Sequence, residues 1–203
     1  MKSLRIVRFT ASILFLALFA VSLSSQTKPQ PGTRNHSAAY NSMAQKLDRI
    51  ARNGQQARPD PTPTRITAEE ASAWMNEGGV KLPAGVDQVR FRSQPGVVTA
   101  NARIDFDKFT ASRASYNPLL SLFSGVHQVV VVAGAAGANG QASISVQTLT
   151  IDGVQVPRMA MELFVDHYLK PKYPNVGLDT RFRMPSRVDT AIVGRDEVTL
   201  TQR

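Results

Sequence analysis

The residues able to do chemistry in this 203-residue chain are few, and their spacing suits almost none of it. Its three histidines are His36, His127 and His167. No H-E-x-x-H or comparable spacing joins them, as a zinc site would require, so no metal is expected. Asp166 and His167 are adjacent in a stretch read as helix, where neighbours point to different sides and form no oriented acid–base pair by themselves. His167 is therefore read as a packed or rim histidine, with a hydrolase using it as the alternative. No serine sits in G-x-S-x-G, the strained turn that exposes a hydrolase nucleophile. Asp105 and Asp107 lie two apart at a strand end. Paired-carboxylate chemistry would need a pocket that raises one of their pKa values, and solvent-facing carboxylates are the expectation. Gly134, Gly137 and Gly140 imitate a phosphate loop, yet an alternating strand (Ser143, Ile144, Ser145, Val146) follows them. A phosphate loop must instead open a helix whose N-terminal amides meet the anion, so Asn139-Gly140 reads as a hairpin turn. The absence of cysteine removes disulfides, thiolate metal sites, thiol nucleophiles and a lipoprotein-type anchor together. The expectation is a protein without catalytic residues or cofactor.

Apolar surface is the stronger signal, and it concentrates in Leu149–Leu169, LTIDGVQVPRMAMELFVDHYL. A strand there turns at Asp152-Gly153 and passes into a helix expected to start at Pro157, whose missing N–H costs nothing at the first helical position. At 100° per residue, Arg158, Glu162 and Asp166 form one narrow polar stripe. Met161, Leu163, Phe164, Val165 and Tyr168 cover most of the rest. A helix on one sheet needs an apolar stripe about 100° wide, so the surplus calls for a second protein layer, a partner or a bound apolar molecule.

Composition bounds the setting. The length allows one domain with extensions. Lys2, Arg5 and Arg8 precede an apolar run from Phe9 to Leu23 and then Ser24 and Ser25, so residues 1–25 read as a signal peptide, or as an uncleaved anchor, and the protein as periplasmic or extracellular. Without those three cations, 21 basic residues face 15 acidic ones, a charge of +6. Residues 26–65 carry seven of the basic residues against Asp48 and Asp60. The charge thus sits in a Pro/Gln-rich arm rather than on the folded unit, which argues against nucleic acid as partner. Solvation as a linker, or attraction to an anionic membrane surface, are the two readings of that arm. Tyr40, Met43, Leu47 and Ile50 recur within it at helical spacing and predict one short amphipathic helix.

Residues 66–203 read as the domain. Thr67 and Glu70 form a capping box that opens a helix to about Asn76. Val86–Ser93 and Val98–Phe106 make a hairpin, with Val98, Ala100, Ala102, Ile104 and Phe106 on its apolar face. Val129–Val132 suggest a strand covered on both sides. In the next strand Ile144 and Val146 share one parity but Leu149 and Ile151 take the other, which a bulge near Gln147 or Thr148 would reconcile. Leu178–Met184 and a last hairpin from Val188 to Leu200 complete about seven strands.

Several of these segments, ITAEEASAWMN, LPAGV, VVTANARIDF, the Leu149–Leu169 stretch and LDTRFRMPSRVDTAIVGRDEVTLTQ, together resemble bacterial exported lipid-binding proteins of the LmeA-like and YceB-like kind, relatives in fold of the tubular lipid-binding (TULIP) domains. The resemblance implies an α+β fold in which a curved antiparallel sheet wraps one long helix, with a shorter N-terminal helix and a lipid chain held between helix and sheet. Carried onto this sequence, Val156, Pro157, Met161, Phe164 and Tyr168 match the helix entry and apolar face, and Phe182, Pro185 and Val188 the strand pair that follows. The chain departs from the lipoprotein members in lacking cysteine, and its arm has no counterpart. The expected function is a non-enzymatic envelope protein that binds or carries a lipid through Val98, Ile104, Phe106, Ile144, Val146, Met161, Phe164, Tyr168 and Phe182. The alternative is a scaffold or assembly subunit that docks a partner protein with the same apolar face.

Overall fold

The computed structural model describes residues 35–111, 124–166, 170 and 177–203. In chain order the elements are α1 (Ala38–Gly54), β1 (Thr64–Thr67), α2 (Ala68–Asn76), β2 (Val86–Gln94), β3 (Val97–Asp105), α3 (Phe106–Ala111), β4 (Val126–Ala138), β5 (Gln141–Ile151), β6 (Val154–Gln155), α4 (Arg158–Phe164), β7 (Asp179–Arg183), β8 (Val188–Val193) and β9 (Glu197–Gln202). All strand pairs are antiparallel. The expected α+β class with a large antiparallel sheet is present. Its strands number nine among the described residues rather than about seven. The two additions, β1 and β6, have four and two residues, too short to show a period of two, and β1 exists by long-range pairing with β9.

The turns follow local chemistry. Asn139 and Gly140 both take positive φ (53° and 71°), the two-residue turn whose twist suits a hairpin. In β5, Thr148 pairs with Val132 and Val146 with Ala133, which leaves Gln147 as an extra residue. This is the expected bulge. It turns Ile144 and Val146 to the same side as Leu149 and Ile151, and so preserves one apolar face along the whole strand.

Strand β4 is the spine. Its 13 residues span about 43 Å at 3.3 Å each. One edge carries β5, and the other is shared end to end by β3, from Val126 to Gly134, and by β8 at Gly137. The sheet runs β1-β9-β8-β4-β3-β2, and α2 bridges its two end strands. Helix α2 follows β1 directly, while its side chains bond the free edge of β2: Asn76 accepts from the Val89 N–H (2.9 Å) and donates to its carbonyl (2.6 Å), and Ser72 Oγ accepts from the Phe91 N–H (2.9 Å). Asp196 accepts from the next edge amide, Ser93. An open edge would otherwise offer these groups to another chain.

One long helix wrapped by the sheet was the expectation. Among the described residues three helices share that task. After Pro157, which stands at the N-cap rather than inside the helix, the α-helical run is Arg158–Phe164, a π turn follows at residues 165–166, and residues 167–169 of the expected helix lie outside the described residues. The longest helix among the described residues is α1, 17 residues from the arm. Its Met43, Leu47 and Ile50 pack with Ile66, Ala142, Met184, Val188 and Ala191 at one end of the apolar face. Ala71 and Met75 of α2 cover the middle, against Phe91, Val98 and Ala100, and Phe164 of α4 packs against the same cluster. Phe182 joins both clusters.

Polar bonds fix α1 along its length. Ser37 caps it and also bonds Glu77 at the end of α2, by Oγ–H (2.6 Å) and by N–H (2.8 Å). Glu70 is buried and accepts from Lys46 Nζ (2.6 and 2.7 Å), Ser42 Oγ and the Thr67 N–H. The expected capping box is therefore also the hinge pin between two helices. At the far end Gln202, buried, donates to the carbonyls of Ile50 (2.8 Å) and Ser186 (2.6 Å) and accepts from Asn53. The single tryptophan belongs to a ring ladder, with Tyr40 stacked on Trp74 and His36 on Tyr40.

Two outcomes follow. A Cβ at Gly54 would lie 2.3 Å from the Ser186 carbonyl oxygen. Gly54→Ala should therefore destabilise by about 1–3 kcal/mol in a urea melt, although alanine in a helix ordinarily gains about 1 kcal/mol over glycine. Burial pushes the Glu70 carboxyl up, but the bonds from Lys46, Ser42 and Thr67 outweigh it and hold the group below the usual glutamate range. A depressed folded pKa gives stability that is complete above the unfolded value and lost as pH falls through the folded one. Glu70→Gln should cost about 2 kcal/mol at neutral pH and flatten the acid limb of a plot of urea midpoint against pH.

Candidate functional site

The apolar face of the sheet is built by register. Across β2, β3, β4 and β5 the rows Phe91–Ala100–Val131–Leu149 and Ser93–Val98–Ala133–Val146 point inward, and Ile144 continues inward beside Thr180 of β7. Valines 129 and 131 are buried while 130 and 132 are partly exposed, so the valine run has one covered face, not two.

Of the nine residues expected to meet a lipid, Val98, Phe106 and Ile144 are buried in one cluster, and Ile104, Val146, Phe164 and Phe182 pack against it. Met161 is buried as well, at 5% exposure. Tyr168 and His167 lie outside the described residues. The arrangement thus gathers side chains from β3, α3, β5, α4 and β7 on one surface. Its centre is small: Ala100 and Ala102, which the period of two already placed on the apolar face, are fully buried together with Ala133, which sequence reasoning missed. Small side chains there lower the floor between bulkier walls. Ala133 follows the valine run as a single alanine and carries too little apolar signal to mark it as part of a floor.

Helix α4 is apolar on two sides and covered on one. Met161 and Val165 are buried, whereas Met159 is 73% and Leu163 54% exposed. The polar stripe of Arg158, Glu162 and Asp166 lies in solvent, as expected. Its first residue is clamped: Arg158 donates to Glu162 (3.0 Å) and to Asp179 at the start of β7 (2.7 Å), which also accepts from Ser145. Hydrogen bonds from Ser145 and Arg158 hold Asp179 below the usual carboxylate range. Beyond these bonds α4 carries no side-chain cap.

At the turn that leads through β6 to α4, the His127 ring stands edge-on to Phe106 at 5.5 Å. Its Nδ1 lies 2.6 Å from Asp152 Oδ2 and its Nε2 3.0 Å from the Ser124 carbonyl oxygen. Asp152 occupies the expected turn with a positive φ of 49° and also accepts from the Gln128 N–H. Both ring nitrogens of His127 are thus engaged. Asp105 bonds Lys108 and Asp107 accepts from the Gly125 N–H, so these carboxylates hold local structure. No cluster of metal-ligating side chains occurs among the described residues, and none of their helices is long and apolar enough to cross a membrane.

An apolar cavity of about 50 Å³ lies between α2 and the strands on either side, lined by Ile66, Ala71, Phe91, Val98, Val193 and Leu200. Sites for drug-sized ligands run from about 300 Å³ upward, so this gap holds no lipid chain. No family model, curated protein or solved structure matches the chain.

The two sides of α4 should separate in a mutational test. Met161→Ala should cost about 2–5 kcal/mol in denaturant unfolding, while the double change Met159→Ser with Leu163→Ser should stay within about 1 kcal/mol of the parent, as surface substitutions do.

Proposed function

We propose that this protein binds a lipid or comparable apolar molecule between the apolar face of the sheet and α4, acting in the cell envelope as a carrier rather than an enzyme. The observation that carries the reading is the two-sided character of α4. A helix with Phe164 packed against the sheet's core, Met161 and Val165 buried, and Met159 and Leu163 in water can exchange one apolar contact for another at low cost when it shifts.

Four further features support it. The alanine floor of β3 and β4 offers depth once the cover moves. The residues packed with it include Met75, whose unbranched and polarizable side chain repacks around varied shapes. The resemblance to exported lipid-binding proteins points the same way, as does the N-terminal segment read as an export signal. An acyl chain laid along this face would gain about 0.8 kcal/mol for each methylene buried, enough for micromolar affinity from about ten of them.

The exposure of Met159, Leu163 and Val154 also favours a second reading, a scaffold whose α4 surface docks another protein. Native mass spectrometry of detergent-free protein, together with uptake of a fluorescent fatty acid, separates the two. The carrier reading expects a co-purified lipid, saturable uptake, and affinity weakened about tenfold by Phe164→Ala. Lipid-free protein that takes up no fatty acid would overturn it.

A further inference from the structure

The same end of the molecule holds a second device. A neutral imidazole has one N–H, yet the two nitrogens of His127 face two acceptors, the Asp152 carboxylate and the Ser124 carbonyl. Only the doubly protonated ring donates to both. Those acceptors belong to different segments. Asp152 forms the turn between β5 and β6, and Ser124 lies in the connection that enters β4.

Around this ring the segments are tied twice more. Asp152 Oδ1 accepts from the Gln128 N–H (2.8 Å), and the Asp152 N–H donates to the Gln128 carbonyl (2.9 Å). Asp107 of α3 accepts from the Gly125 N–H (3.0 Å), and the Phe106 N–H donates to the Gly125 carbonyl (2.9 Å). Phe106, whose ring meets that of His127, is one of the buried residues of the apolar face. The histidine thus stitches a turn, a connection and α3 together beside Phe106 of the apolar interior.

We propose that protonated His127 is a latch on this end of the molecule, closed while the ring is charged and released when it loses a proton, so that the apolar face beneath Phe106 opens as pH rises. Among the described residues, Asp152 from the β5–β6 turn and Asp107 from α3 act on the ring and favour the closed form, while Asp105 at the end of β3 is engaged by Lys108 at 2.9 Å. The hydrogen bond to Asp152, then that to the Ser124 carbonyl, raise the ring's pKa above the ordinary histidine value, and the same contact lowers that of Asp152. A raised folded pKa means that the latch's contribution is complete below about pH 6.5, the unfolded value, and is lost as pH climbs through the folded one. Its effect on a ligand rests on the lipid-binding reading; its effect on the backbone does not.

The test uses the full-length chain. Proton NMR follows the His127 ring, assigned by comparison with His127→Gln, while amide hydrogen exchange follows Gly125 and Gln128 as protection factors from pH 5.5 to 9. The expected result is a His127 midpoint above about 6.5 and a fall in both protection factors of about tenfold with that same midpoint. His127→Gln should be weakly protected throughout, and Asp152→Asn should lower the midpoint. A ring that titrates without changing either protection factor would overturn the latch, as would a midpoint at or below the free-histidine value. Release of a fluorescent fatty acid, measured in parallel, should quicken several-fold across the same range. Bound fatty acid whose release ignores pH would refute gating. Failure to bind any fatty acid, with the amides still switching, would remove the lipid reading and leave the latch standing.

Discussion

One constraint governs this structure: a single bent sheet with one apolar face about 43 Å long must keep that face from water, and no second sheet is present among the described residues to do so. The face exists because β4 presents Val129, Val131 and Ala133 to one side and because the bulge at Gln147 keeps β5 in phase with it. Everything else is cover. Helix α1 closes one end, α2 the middle and α4 the other, and each uses a different means of attachment.

Those means differ in strength. Helix α1 is held by Ser37 on Glu77, by Lys46 and Ser42 on Glu70, and by Gln202 on its last turn. Helix α2 bonds the edge of β2 through Asn76 and Ser72. A buried carboxylate with three donors and a buried amide with three partners are costly to disturb, because opening would strand polar groups in an apolar setting. Helix α4 starts at Pro157 without a side-chain cap and has a surface clamp through Arg158; exposed ion pairs of this kind contribute little. Local opening follows the weakest cover, so stability along the interior is graded, rigid at the α1 end and yielding at the α4 end.

The sequence carried the sheet's local pattern better than its closure. Hairpins at Gln94–Val97 and Asn139–Gly140, the Thr67–Glu70 capping box and the Gln147 bulge were legible because each is set by neighbours within a few residues. The apolar residues Val98, Ile104, Phe106, Ile144 and Phe182 could be assigned to one face by parity alone. What lay hidden is non-local. Tyr40, Met43, Leu47 and Ile50 show an amphipathic helix but not that it docks beneath β8 and β9, for its partners Ser186, Val188 and Gln202 stand more than 130 residues away. The role of Glu70 was hidden likewise, since its burial depends on Lys46. The Leu149–Leu169 stretch was read as a helix needing cover on several sides, and the structure divides that surplus into a buried side and an exposed one.

Placing the loose end beside His127 has a physical logic. A latch must hold a segment whose intrinsic attachment is weak, since a few kcal/mol cannot move a firmly anchored one. At the α1 end the same histidine would change nothing measurable against the network around Glu70 and Gln202. At the turn leading to α4 its two hydrogen bonds add to the four others that hold the turn, α3 and the entry to β4 together. The ring also sits where a change of charge is possible at all: with 22% of its side chain exposed, it exchanges protons with solvent, and it does so without passing through the buried floor of alanines. An interior built this way keeps its apolar depth permanently assembled at one end and assigns access to the other, where a single titratable side chain is enough to alter the balance.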